Sequence, residues 1–466
     1  MKLTSQWLKA AVMAALAVCA FQADAQDAGG TPPAAHVSPA LAGEVQRAID
    51  ADNARLVTIF KDIHQHPELG FMEVRTAGIV AKELSRLGFK VTTGVGKTGV
   101  VAVLRNGDGP VLMYRADMDA NAVEEATGLA YASKVRVRRE DGEEVPVGHM
   151  CGHDAHVTWM LGMARAMVGL RDRWKGTLVL VGQPAEELAS GARAMIEDDL
   201  YKVAPVPDYL LALHTAPIAT GLTLAVPGTI GAGTELLDVT FHGVGGHGST
   251  PHLTRDPVVM GAYAITEYQA LVSRVVPPLE TAVVTVGAFQ AGTDNNVVPE
   301  SALLKINLRY FSEDTRQQLL KGIKAIDDGI ARTYGMPEDR LPTTVNKGHA
   351  PPLVNDSQTL ARLVAPLAEV VGQKSVITKL PPSTGSEDAQ ILVEPHPQTK
   401  VAYLYVGIAD PESVAAARGR GEVFAFTAHG PHFKVDLAAI PVGARIATLS
   451  ALELLSSAPP SLSLAE

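Results

Sequence analysis

Apolar residues along the chain alternate between two spacings. From 41 to 63 they recur every three or four positions, at Val45, Ile49, Leu56, Ile59 and Ile63, which predicts a helix. Residues 76–87 repeat the pattern and stop at Gly88, a residue suited to a helix C-terminus. Short unbroken apolar runs of strand length follow at 100–104, 111–114, 177–182, 209–213 and 401–406. Helical stretches lie between them, most clearly 159–170, and a last helix is expected from about 437. Strands alternating with helices predict an α/β fold with a mostly parallel sheet covered on both faces.

Between about 233 and 341 the pattern changes. Residues 236–241, 281–290 and 301–309 read as strands, and 257–273 and 315–334 as helices. This predicts a smaller α+β domain inserted into the first. The expected plan is a main domain in two parts, 41–232 and 342–456, interrupted by 233–341, with a flexible leader at 26–40 and a tail at 457–466.

Composition narrows the class. With 466 residues, 47% hydrophobic and 19% charged, the chain has material for a large core. A formal net charge of −10 gives no general attraction for nucleic acid or anionic membrane. The first 25 residues read as a cleavable export signal. Lys2 and Lys9 open it, 10–20 is apolar and too short to span a bilayer, and Ala23-Asp24-Ala25 offers a cleavage site. The expected location is therefore periplasmic or secreted. A lipoprotein reading at Cys19 competes, but Val18 is bulky for the position before the cysteine. Without the signal, Cys151 is the only cysteine, so no internal disulfide is possible. A lone thiol in an oxidising compartment is best kept buried or bound to metal.

The chemistry gathers in Gly148-His149-Met150-Cys151-Gly152-His153-Asp154-Ala155-His156. Cys151 and His153, two apart on an extended loop, can face one metal, although a surface histidine cluster with a chance cysteine is the plain alternative. The expected strands add donors at their ends. Residues 111–114 run into Arg115-Ala116-Asp117-Met118-Asp119, 177–182 into Gln183-Pro184-Ala185-Glu186-Glu187, and 209–213 into His214. After 401–406 a loop reaches His429-Gly430-Pro431. Open α/β sheets bind ligands outside the carboxyl ends of their strands. Cys151, His153, Glu187, His214 and His429 are thus expected to converge at one sheet edge. The glycine-rich turn at 243–249 carries His247, for which a solvated structural turn is the alternative.

These motifs resemble those of the N-acyl-amino-acid amidohydrolases, a branch of the dinuclear metallopeptidases that includes hippurate hydrolase, plant auxin-conjugate hydrolases and aminoacylase-like enzymes. The likeness runs from His66-Pro67-Glu68-Leu69 to the last helix, and includes Gly245-Gly246-His247-Gly248-Ser249, Asn296-Val297-Val298-Pro299 and Gly385-Ser386-Glu387-Asp388. The resemblance implies a catalytic α/β domain carrying two divalent ions (zinc, manganese, cobalt or nickel) and an inserted lid through which two copies dimerise. It implies Cys151, His153, Glu187, His214 and His429 as ligands, with Cys151 in a bridging position. Glu186 takes the place of the general base, and His247 that of a lid histidine reaching its own or a partner's active site. Asn296 and Arg309 fall where relatives hold the substrate carboxylate, and Asp117 or Asp119 where a ligand is oriented. The implied reaction is hydrolysis of an N-acyl amino acid to a carboxylic acid and a free amino acid. Three departures bear on substrate preference: Ala120-Asn121-Ala122 stands for Ala-Leu-Pro, Ala389 for an aromatic residue, and Arg309 follows Ile306-Asn307-Leu308 rather than small residues. Rival readings are an exported metallo-dipeptidase or carboxypeptidase, a thiol hydrolase using Cys151, and a non-catalytic metal-binding protein.

Overall fold

The structure, a computed structural model, describes residues 37–139 and 142–456. The expected signal with Cys19, the leader up to residue 36 and the tail from 457 lie outside the described residues. Among the described residues no helix is long and apolar enough to cross a membrane.

In chain order the strands of the two larger sheets are β1 (Lys90–Val95), β2 (Gly99–Asn106), β3 (Val111–Asp117), β4 (Gly176–Gln183), β5 (Tyr209–Ala219), β6 (Thr223–Leu224), β7 (Gly233–His242), β8 (Ala282–Ala291), β9 (Ser301–Tyr310), β10 (Thr343–Ala350), β11 (Val376–Ile377) and β12 (Lys400–Ala409). The main sheet has the order β1-β2-β4-β3-β5-β12-β6-β11. Its centre, β4-β3-β5-β12, is parallel. Antiparallel neighbours, β2 against β4 and β6 against β12, flank that centre. The expected α/β class with a mostly parallel sheet is therefore the fold observed.

Unbroken apolar runs arise because both faces of this sheet are covered. In β3, Leu112, Tyr114 and Ala116 enter one core while Met113 enters the other. In β4, Leu178 and Leu180 oppose Val179 and Val181 in the same way. The larger core is roofed by α1 (Pro39–Gln65), α2 (Val74–Arg86), α3 (His153–Gly169), α6 (Ser357–Val371) and α7 (Ala439–Leu455); among the longer helices between them are α4 (Pro257–Ala270) and α5 (Glu313–Thr333). Helix α1 starts where Ser38 caps it, the hydroxyl accepting from the Leu41 amide at 3.3 Å, with Pro39 in the first turn. Helices α3 and α7 meet at Trp159 and Gly443, and the Trp159 indole donates to the Ala439 carbonyl at 3.2 Å. A Cβ on Gly443 would stand 2.2 Å from the Trp159 ring, so the glycine is what allows this contact.

Helix α3 begins at His153, earlier than 159, so the motif is not an extended loop throughout. Gly152, at φ +88°, turns the chain into the helix, and a Cβ there would meet the Thr215 side chain at 2.6 Å. The helix is buried on nearly every side, which erases the one-sided spacing by which a surface helix is recognised.

The second sheet, β8-β9-β7-β10, is antiparallel throughout. Phe241 of β7 and Leu304, Ile306 and Leu308 of β9 pack with Met260 and Tyr268 of α4 and Leu319 and Ile323 of α5 in a separate core. This sheet takes its last strand from Thr343–Ala350, past the boundary expected at 341; the first five residues of β10 are exposed and give no apolar signal. At the other end of β10, Gly348 runs against the backbone of the main sheet's loops. A Cβ on it would lie 2.7 Å from the Leu188 carbonyl oxygen.

Candidate metal centre

Side chains from the strand ends are brought together by sharp turns. β3 delivers Arg115 and Asp117, with Asp119 just beyond. After β4 the chain turns at Ala185, φ +47°, into the short helical turn Glu186–Leu188. β5 carries His214. The loop after β12 presents His429 at φ +59°, with its amide donating to the Met150 carbonyl at 2.7 Å. Left-handed backbone at non-glycine residues is uncommon and costs about 1–3 kcal/mol, a strain that clusters at functional sites.

All five expected ligands meet here. Donor atoms of Cys151, Glu187 and His429 lie within 4.8 Å of one another, as do those of His153, Glu186 and Glu187. Cys151 Sγ is 3.5 Å from His214 Nε2, and His429 Nε2 is 3.2 Å from Glu187 Oε1. Hydrogen bonds behind the cluster aim the rings. His153 Nδ1 donates to the Asp119 carbonyl at 2.8 Å, and His214 Nδ1 to the Thr215 carbonyl at 2.7 Å, leaving both Nε2 lone pairs turned inward. Asp119 also accepts the Glu187 amide at 3.0 Å, so one carboxylate fixes two expected ligands. His153 Nε2 is buried without a hydrogen-bond partner. Such an orphaned nitrogen, next to a thiolate-forming cysteine, fits a divalent cation.

His156 sits in a donor group with Asp117, His153 and His214 but is already spent. Its Nδ1 donates to Asp117 at 2.5 Å and its Nε2 accepts the Thr215 amide at 2.8 Å. Burial holds its pKa down to about 4, so the ring is neutral as these bonds require. Asp117 is held further by Arg115 at 2.8 Å. Arg115, fully enclosed, also reaches Glu387 at 2.7 Å and Gln183 at 2.8 Å, and Tyr403 donates to Glu387. Arg115, Gln183, Glu387, Asp388 and Tyr403 form the floor of the site. Site reasoning from the sequence missed their role, although Arg115, Gln183, Glu387 and Asp388 lie inside its motifs; the charge run at strand ends was the available signal.

Charges in the cluster are strongly coupled. Burial alone would raise the Cys151 thiol, yet His214 and His153 bring it down to about 6. Burial likewise opposes ionised Glu187, but the His429 contact and His153 hold it at about 2. His429, facing Cys151 and Glu187, is raised to about 10. Glu186 differs from its neighbour: burial, then Glu387 and Glu187, push it well above the usual carboxylate range. Adjacent carboxylates with opposed shifts mark an acid/base candidate beside a ligand candidate.

The remaining expected residues lie apart from the cluster. His247 sits on the two-stranded ribbon Gly246–His247 with Val297–Val298, exposed, its Nδ1 accepting from the Ser249 amide at 3.1 Å. Asn296 is exposed at the base of that ribbon, its carbonyl accepting the Gly248 amide at 2.7 Å. Among the described residues, no hydrogen bond or ion pair joins either one to the cluster. Arg309 lies on the face of the second sheet opposite its helices, close enough to Glu186 to feel its charge. Its Nε donates to Asn307 at 3.0 Å, while Nη1 is buried without a partner.

Comparison with known proteins extends over these same residues. The family profile of Peptidase family M20/M25/M40 matches residues 113–453. The chain is 35% identical over 347 residues to a hippurate hydrolase of Campylobacter jejuni, covering 74% of this chain and 85% of that protein. It is 30% identical over 401 residues to an IAA-amino acid hydrolase of Arabidopsis thaliana, ILR1-like 2, covering 86% and 85%. The solved YXEP protein of Bacillus subtilis, described as a dinuclear metal binding peptidase, superposes with a TM-score of 0.66 at 25% identity, covering 87% of this chain and 99% of that one. The matched span contains every strand end that supplies the cluster, and the chain belongs to peptidase family M20/M25/M40 as a metal-dependent amidohydrolase or peptidase.

Proposed function

We propose that the protein hydrolyses the amide bond of N-acyl amino acids, releasing a carboxylic acid and a free amino acid. The observation that carries this reading is the pair Glu186 and Glu187, one ready to hold a proton and the other tied to His429 and Cys151. The names of the hippurate and IAA-amino acid hydrolases support the substrate class. Cys151, Glu187 and His429 would hold one divalent ion and His153 and His214 the other, with Cys151 close to both sets. Bound there, the ions supply Lewis-acid polarisation of the amide carbonyl and acidify a water. Glu186 takes the proton at its carboxylate and returns it to the leaving nitrogen. The unpaired Nη1 of Arg309 receives the substrate carboxylate. His247, too exposed to act where it stands, reaches the oxyanion when the second sheet closes or from a second copy. A homodimer through the second sheet is supported by its edge strand β8, with Val283 and Phe289 exposed. The N-terminal segment that reads as an export signal supports a periplasmic or secreted location for this reaction.

A turnover screen with added zinc, manganese, cobalt or nickel, across N-acetyl, N-benzoyl and indoleacetyl amino acids and dipeptides, tests the proposal. Cleavage of the acyl amino acids is expected. Cleavage of dipeptides alone would replace it with the peptidase reading, and full activity after complete metal removal would end the metal reading.

A further inference from the structure

We propose that His64, held between Glu125 and Asp154, is a positioning residue of the metal centre, acting chiefly on the Cys151, Glu187 and His429 donor set. The inference rests on the two-ion reading above. His64 closes α1, remote in sequence from the ligands. Its Nδ1 faces Asp154 Oδ2 at 2.6 Å and its Nε2 faces Glu125 Oε1 at 3.2 Å. Carboxylates on both sides require a hydrogen on each nitrogen, so the ring is an imidazolium. Phe60 and Tyr131 enclose it, with ring centroids at 5.7 and 5.3 Å. Burial opposes the charge, but Asp154 and Glu125 outweigh it and raise the pKa to about 9. Neither nitrogen of His149, the other buried histidine nearby, has a hydrogen-bond partner among the described residues. The charge in this group therefore belongs to His64.

Each carboxylate leads towards the metal centre. Asp154 Oδ1 accepts the Ala155 amide at 2.8 Å in the first turn of α3, one residue after His153. Glu125 accepts the Ser133 amide at 2.6 Å, closing the loop that begins at Asp119. In that loop Asn121 faces Glu187 and favours its ionised form. The next residue after Glu125 fastens the His429 loop: the Ala126 amide donates to the Pro431 carbonyl at 2.7 Å, and His432 Nδ1 donates to the Ala126 carbonyl at 3.0 Å.

The two halves of the centre depend on this clamp unequally. His153 is embedded in a buried helix and held again by Asp119. His429 is half exposed on strained backbone and relies on Met150 and the Ala126 strap. Loosening the clamp should therefore release the ion at His429 before the one at His153.

Calorimetric titration of the full-length apoprotein with Co²⁺ tests this in the parent, His64→Gln, Glu125→Gln and His429→Ala. Partners that orient ligands typically matter by roughly 10–100-fold in metal affinity, so one Co²⁺ should weaken by that factor and the other by about threefold or less. Adding Glu125→Gln to His429→Ala should change little further, because both act on the same ion. Two ions bound with parental affinity in both folded clamp variants would overturn the inference, as would equal weakening of both ions or additivity with His429→Ala. If His64→Gln does not fold, Glu125→Gln, which keeps the shape of the buried side chain it replaces, decides alone. A parent chain that takes up no Co²⁺ would sink the two-ion reading and this inference with it.

Discussion

The cluster at the edge of the main sheet and the glycine-rich ribbon that follows β7 both carry histidines expected to act, and they treat them in opposite ways. His153 and His214 are each pinned by a carbonyl behind the ring and turned towards a common point. His247 is exposed, and among the described residues its ring bonds only to Ser249 of its own turn. Ligands must hold a fixed geometry before an ion arrives, which needs rigid packing and a supporting layer of hydrogen bonds. A group that meets substrate only after closure needs mobility instead, and glycines on either side of it provide that. The difference separates what must be built beforehand from what must arrive.

The largest expected effect tests the rigid half. Glu186→Gln keeps the shape but cannot accept a proton, and turnover should fall about 10²–10⁴-fold with metal content unchanged. Glu187→Gln should instead lose metal, and excess metal should restore part of its activity. Metal analysis beside turnover separates the two; the reverse pattern would exchange their roles. A chelator should abolish activity in the parent, and added metal should return it.

The mobile half comes next. His247→Ala should lower kcat about 10²–10³-fold, the usual cost of one oxyanion donor, and leave metal content and melting temperature unchanged. An unaltered kcat would remove His247 from the reaction. Arg309→Lys stands between the halves: it should raise KM about tenfold for substrates with a free carboxylate, the cost of about 1.4 kcal/mol, and spare carboxyl-blocked analogues.

The smallest effect is a pH dependence confined to the rigid half. The His64 pKa rises from 6.5 to about 9 on folding, so its stabilisation is complete below about pH 6.5 and disappears as pH climbs through about 9. Melting temperatures measured at pH 6.5 and 9.5 should fall by more in the parent than in His64→Gln. Equal falls would show that His64 carries no charge in the folded protein.

The rigid half was the more legible in the sequence. Cys151, His153, Glu187, His214 and His429 sit at or near the ends of apolar runs, and parallel topology brings those ends to one edge. Arg115 and Glu387 were harder to read as site residues, because their partnership spans most of the chain and depends on pairing that local spacing does not encode. The start of α3 was missed for a related reason: a helix buried all round carries no polar face to set its period. β10 escaped because its first five residues are exposed, leaving only a bulged antiparallel pairing with β7 to define it. Position relative to the centre was least legible for His247, since a glycine-rich turn specifies freedom rather than a destination.

Gly348 gives the relation between the two halves a mechanical form. With no clearance between β10 and the Leu188 carbonyl, the second sheet bears directly on the turn that presents Glu186 and Glu187. A bearing without play acts as a fulcrum: rocking of the second sheet is largest at its far ribbon and smallest at the carboxylates. Under the proposed closure such a joint would swing His247 through a wide arc while leaving Glu186 and Glu187 almost still, and a single added methyl at this point would wedge it.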